Sequence, residues 1–173
     1  MRVADKIFSI LSKYTDVVFF LPGGGSMHLN DALGQSSLKR VSCLHEQGCG
    51  FAAVGYAMAR DGLGVCLTTS GPGATNAVTA CAAAWTDSVP VLFISGQTKT
   101  STLMNGTGLR SRGNQEVDII SMVRGITKVS KQVLTVQDAI ESLEFMVKEC
   151  LDGRRGGCWL DIPVDVQGME VKE

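Results

Sequence analysis

Glu46 is the side chain with the clearest chemical potential. It stands in Leu44-His45-Glu46-Gln47-Gly48, ahead of a helical run of small residues that includes Gly48, Gly50, Ala52, Ala53, Gly55 and Ala57. Further on comes Thr69-Ser70-Gly71-Pro72-Gly73-Ala74-Thr75-Asn76, a Gly-Pro-Gly turn that opens another helix. An acid in a first helical turn is commonly explained by the helix dipole, an effect under about 1 kcal/mol. The small neighbours support a second reading, in which Glu46 lies at a crowded, buried junction. A carboxylate there needs a partner, and such a group can share a proton with a ring nitrogen. Pro22-Gly23-Gly24-Gly25 forms a further glycine turn. Glycines let a ligand approach the backbone closely, but each also suits an ordinary strand-to-helix turn. Neither turn has the spacing of a phosphate loop, and no dinucleotide glycine fingerprint occurs in a strand-helix context, so a nucleotide-binding reading is weakly supported.

Alternating strands and helices must position these residues. Arg2 to Lys13 carries apolar residues at helical spacing, and Val17 to Leu21 is a short buried strand ended by Pro22. Ser26 can cap a helix running to about Leu33, with Gly34 as its stop. Leu38 to Leu44, Gly64 to Thr69, Val89 to Ser95 and Cys158 to Ile162 read as further strands, with a weak one over Thr127 to Val129. Helices are expected over Glu46 to Arg60, Gly73 to about Asp87, Val117 to Arg124 and Val136 to Leu151. Thr98 to Gly113 is a polar loop of a length that usually marks function or mobility. Continuous apolar strands alternating with helices imply an α/β fold: three layers, α/β/α, around a central, mainly parallel sheet of about six strands. Ligands in such sheets bind beyond the carboxyl ends of the strands. The glycine turns and Glu46 all fall there.

Bulk properties narrow the class. At 173 residues, 45% apolar and 19% charged, the chain suits one globular domain over residues 1–173. Its net charge of −1 and lack of a basic stripe disfavour nucleic acid or an anionic membrane as partner. No apolar run is long enough to span a bilayer, and Met1-Arg2-Val3-Ala4-Asp5-Lys6 does not read as a signal peptide. The six cysteines form no C-x-x-C pair and sit in apolar runs or helices, which points to reduced thiols and a cytoplasmic protein. No metal site follows from them or from His28 and His45.

Taken together, Leu44-His45-Glu46-Gln47-Gly48, Ala52-Ala53-Val54-Gly55-Tyr56-Ala57 and Thr69 to Asn76 resemble the pyrimidine-binding domain of thiamine diphosphate enzymes, and most closely the acetolactate synthase large subunit group. Leu21-Pro22-Gly23-Gly24, Asp87-Ser88-Val89-Pro90, Ser95-Gly96-Gln97, Gln115-Glu116-Val117-Asp118-Ile119, Thr127-Lys128 and Asp161 to Val166 add to the likeness, which runs from about residue 4 to 167.

The resemblance implies a 2-oxo acid carboligase or decarboxylase in which Glu46 activates thiamine diphosphate through the aminopyrimidine ring. By the same likeness, Pro72 and Asn76 line the pyrimidine pocket, Pro22, Gly23 and Gly24 lie near the reactive carbon, and Gln97 and Gln115 lie near the substrate. His45 is assigned at least as readily to packing or capping as to catalysis. The family's G-D-G anchor, which holds the diphosphate through Mg²⁺, has no counterpart here; Asp61-Gly62-Leu63-Gly64 reads as a helix-to-strand turn. Half of an active site is therefore expected, with the diphosphate-binding domain of the parent chain or of a partner subunit supplying the rest, and a homodimer as the assembly. FAD is compatible with the likeness but indicated by no residue. Asn114 stands where the group typically has Phe, which leaves the substrate and product open. A non-catalytic dimerising or regulatory domain, or one subunit of a split decarboxylase, are the alternatives.

Overall fold

Three strands in the middle of the sheet are buried along their whole length, and this dictates the architecture. The computed structural model describes residues 1–171. Along β3 (Gly64–Thr68), β4 (Val91–Gln97) and β6 (Cys158–Pro163) every residue is buried. Val65, Leu67, Leu92, Ile94, Cys158, Leu160 and Ile162 point into one apolar cluster. Their neighbours Cys66, Val91, Phe93 and Trp159 point into another on the opposite face. Alternating side chains that are apolar on both faces need cover on both faces, the signature of a parallel sheet between helical layers.

The six strands, with β1 (Val17–Phe20), β2 (Lys39–Ser42) and β5 (Val129–Gln132), are ordered β2-β1-β3-β4-β6-β5, and every pairing is parallel. The first cluster is covered by α1 (Val3–Leu11), α2 (Met27–Gln35), α7 (Val136–Leu151) and α8 (Val164–Gly168). The second is covered by α3 (Glu46–Arg60), α4 (Pro72–Asn76), α5 (Val78–Thr86) and α6 (Ile119–Val123). Phe93 and Trp159 stack in that second core with centroids 5.1 Å apart and planes 8° from parallel. The three-layer expectation holds, and the sheet is parallel throughout the described residues.

Several local expectations shift. The helix expected from Gly73 to Asp87 divides at Ala77 into α4 and α5. The division follows Asn76, whose side chain is committed to Glu46. Gly34 does not stop α2: Arg40 donates to the Gly34 and Leu33 carbonyls, so the last turn is capped and runs on to Gln35. Ser26 precedes α2 without capping it, because its hydroxyl donates to Gly23 O at 3.2 Å and accepts from Asn30. The weak strand near Thr127 begins at Val129, its polar edge residues Ser130 to Gln132 hiding it from hydropathy. β6 takes in Pro163, and the short α8 that follows escapes any periodicity test. Asp61 adopts φ 50° as the cap of α3, in keeping with a plain helix-to-strand turn.

Candidate functional site

Strand order reverses at β1, with β2 on one side and β3 on the other, and crevices for ligands form at such switch points. The turns after β1 and β3 meet there. Gly25 N–H donates to Thr69 Oγ1 at 3.0 Å. A Cβ at Gly23 would stand 2.5 Å from Thr69 Cβ, so only glycine allows the two turns to touch. Gly71 has φ +55°, and a side chain there would overlap the Gln115 carbonyl.

Glu46 enters this junction from the start of α3. The preceding residue, His45, caps the helix: its Nδ1 accepts the Gln47 N–H at 3.2 Å. Capping is thus the role the geometry gives His45. Glu46 is buried, 8% exposed. Asn76 Nδ2 donates to its Oε2 at 2.9 Å, spanning 30 residues of sequence. Among the described residues Oε1 receives no hydrogen bond. A Cβ on Gly73 would stand 3.1 Å from that oxygen, and its absence leaves the approach open. One carboxylate oxygen is therefore held and the other is available as an acceptor. Pro72 begins α4 in the same turn and is exposed.

The remaining expected residues gather at a neighbouring cleft of about 490 Å³, bordered by Gly24, Gly25, Gln97 and Gln115. Glu46, Pro72 and Asn76 do not line this cleft, so the expected residues divide into two adjoining groups. Pro22 and Gly23 lie between them in the turn after β1. Gln115 has φ 55°, and its backbone carbonyl packs against Gly71, which ties the cleft wall to the Glu46 turn.

Gln97 corrects the sequence-level picture in part. It borders the cleft but is only 1% exposed. Both amide hydrogens are committed, to Val117 O at 3.0 Å and to Asp161 Oδ2 at 3.1 Å, and Oε1 accepts from Thr98 N–H at 3.0 Å. It braces the wall rather than offering a donor to a ligand.

Asp161 and Glu116 were part of motifs but not of the expected site. Asp161 is fully buried and accepts from Ser95 Oγ at 2.6 Å, Gln132 Nε2 at 2.9 Å and Gln97. Burial pushes its carboxyl up to about 6, against the pull of those three donors. A lone acid in the apolar strand Cys158 to Ile162 was the available signal. Glu116 is 5% exposed, and its carboxylate collects the N–H groups of Met104 at 2.5 Å, Arg112 at 2.8 Å and Gly113 at 2.9 Å. Burial raises its proton affinity, but the donors at Gly113, Met104 and Arg112 outweigh burial and hold the carboxyl below its ordinary value. Nothing in the local sequence marks that role. No group of three or more His, Cys, Asp or Glu that could hold a metal ion occurs among the described residues.

The family described as "Thiamine pyrophosphate enzyme, N-terminal TPP binding domain" matches residues 1–122. The chain is 36% identical over 172 residues to the probable acetolactate synthase large subunit of Methanocaldococcus jannaschii, covering 99% of this chain and 28% of that protein. It is 38% identical over 165 residues to the acetolactate synthase isozyme 2 large subunit of Escherichia coli, covering 93% and 28%. Against the chloroplastic acetolactate synthase of Arabidopsis thaliana it is 41% identical over 166 residues, covering 95% and 24%. The chain thus spans about a quarter of the length of these relatives.

Proposed function

This chain belongs to the thiamine pyrophosphate enzymes, as an acetolactate synthase-like N-terminal TPP-binding domain, and on that premise we propose that it holds the pyrimidine half of the cofactor in a 2-oxo acid carboligase or decarboxylase. The carrying observation is the Glu46 carboxyl, with Oε2 held by Asn76 and Oε1 free beside Gly73. That donor set fits an aminopyrimidine: Oε1 is a fixed acceptor for a ring nitrogen, and the missing side chain at Gly73 makes room for it.

Thiamine diphosphate, when bound, serves as the electron sink for cleavage or formation of a bond next to the substrate carbonyl. The chain's own residues bind and orient. Glu46 holds a proton on the ring nitrogen, Asn76 fixes the carboxyl's rotamer, and Pro72 walls the ring. Pro22, Gly23 and Gly24 let the reacting end approach backbone, and Gln115 faces the substrate from the adjoining cleft. Pre-positioned groups of this kind reduce the reorganisation needed in the transition state.

In this reading the diphosphate and its Mg²⁺ are held by a diphosphate-binding domain, from the parent chain or a partner subunit, in a homodimer-based assembly. The six cysteines, all free thiols, support a reducing compartment, by our reading the cytoplasm. The described residues hold no helix long and apolar enough to cross a membrane.

Glu46→Gln tests the assignment. In the assembly that carries this chain, turnover of a 2-oxo acid such as pyruvate should fall by a factor of about 100 or more, the scale of losing a positioned proton-transfer group, while circular dichroism stays unchanged. Turnover equal to the unmodified protein would refute the role.

A further inference from the structure

The cleft beside the Glu46 turn is lined by two cations, Lys99 and Arg112, and by no acid. Both side chains are exposed, and neither head group takes part in an ion pair or hydrogen bond among the described residues. Two acids in the adjoining loops, Asp165 and Glu116, form no ion pair with either head group, although the Arg112 charge helps hold the Glu116 carboxyl low. Asp165 accepts from Thr100, its oxygens taken by the N–H at 3.1 and 3.2 Å and by the hydroxyl at 2.5 Å. Glu116 points into its own loop, where it holds the Arg112 and Gly113 backbone. The loop is thereby fixed so that Arg112 stays at the rim, next to Gly113, Asn114 and Gln115.

Two cations are poorly suited to a carboxylate that is to be lost. They would stabilise the charged group before reaction more than during it, which raises the barrier. A charged group retained in the product is different: it is bound equally in ground and transition states, so its recognition lowers KM and leaves kcat alone.

We propose that this cleft selects a 2-oxo acid bearing a second acidic group, which Lys99 and Arg112 hold away from the bond that reacts. Thr98, Asn114 and Gln115 supply neutral polar neighbours along the way. The inference rests on the functional reading above, since it takes the reacting end of the substrate to lie toward Gly24.

The test is amide chemical-shift titration of the chain with 2-oxoglutarate, set against 2-oxobutyrate, which lacks the second carboxylate. Saturable shifts at Lys99 and Arg112 to Gln115 are expected with 2-oxoglutarate, at least about tenfold tighter than with 2-oxobutyrate. Lys99→Gln combined with Arg112→Gln should remove that preference, and Arg112→Lys in the otherwise unmodified chain should keep most of it. Equal affinity for the two acids, an unchanged preference in the double variant, or no saturable shift would each overturn the proposal. A Glu46→Gln protein that keeps full turnover would sink the cofactor assignment but leave these shifts as they are, so the two readings fail separately.

Discussion

Glu46 owes its chemistry to what each of its two oxygens meets. Oε2 is held by Asn76, and Oε1 faces a wall left open by Gly73. A methyl group at Gly73 would also stand 2.6 Å from Thr69 Cγ2. Gly73→Ala should therefore weaken thiamine diphosphate binding by about tenfold or more, a loss of about 1.4 kcal/mol, as measured by calorimetry on the assembly; undiminished affinity would show that this wall does not face the cofactor. Asp161 offers a prediction of another kind. Its carboxyl is raised from 3.8 to about 6 by burial, so the folded chain binds this proton more tightly than the unfolded one. Stability from this group is complete at low pH and is lost as pH rises through that window, by about 3 kcal/mol. Denaturant unfolding should show the decline between about pH 4 and 6, and Asp161→Asn should remove that slope. The Glu46 and Asn76 pairing was half legible in sequence: both residues stood out, but their 2.9 Å contact did not. The Asp161 network was not legible, because its partners Ser95, Gln97 and Gln132 come from two other strands.

Helix α3 packs on α5 through glycine rather than through interlocking side chains. A Cβ at Gly50 would lie 2.5 Å from Ala80 Cβ and 3.4 Å from Phe93. Gly50→Ala should separate the two helices and cost about 1–3 kcal/mol, the scale of overpacking a core; thermal unfolding measures it, and an unchanged midpoint would contradict so tight an interface. The loop ahead of α6 depends on one acid. Glu116→Ala should speed hydrogen exchange at Met104, Arg112 and Gly113 and leave the amides of β4 protected. Because the Glu116 carboxyl is held below its ordinary 4.5, the contribution is present above that value and is lost as pH falls through the lower folded value. Protection factors at those amides in the unmodified chain, with exchange corrected for its intrinsic pH dependence, should therefore fall as acidification passes that lowered value. Helix and strand existence followed from hydrophobic spacing almost throughout. Boundaries failed where side chains act over distance, as Arg40 does on the end of α2 and Asn76 does at the break before α5.

At the scale of the molecule, the layer that carries α3 leaves large apolar side chains in solvent next to the candidate site. Leu44 is fully exposed, and Phe51 and Met58 on α3 are 42% and 63% exposed. An apolar edge of that kind beside a candidate site favours association with another chain. Sedimentation at rising concentration should detect self-association, and Phe51→Glu should abolish it; a monomer at every concentration would count against a face used for assembly. Reductant should leave the unfolding temperature unchanged, since all six cysteines are free thiols. What the amino-acid order determined by itself was local and repetitive: apolar strands needing cover on both faces, helices with small-residue faces, glycine turns after strands, and the spacing of motifs around Glu46. These follow from period, propensity and chain stiffness, which act between near neighbours. The tertiary structure alone decided which turn met which. Strand order β2-β1-β3-β4-β6-β5 opens the crevice between β1 and β3. It also sets Asn76 on Glu46, gives Gln97 to Asp161 instead of to a ligand, and leaves Lys99 and Arg112 unpaired in one cleft. Such contacts join residues tens of positions apart, and their geometry exists only once the sheet has closed between its two helical layers.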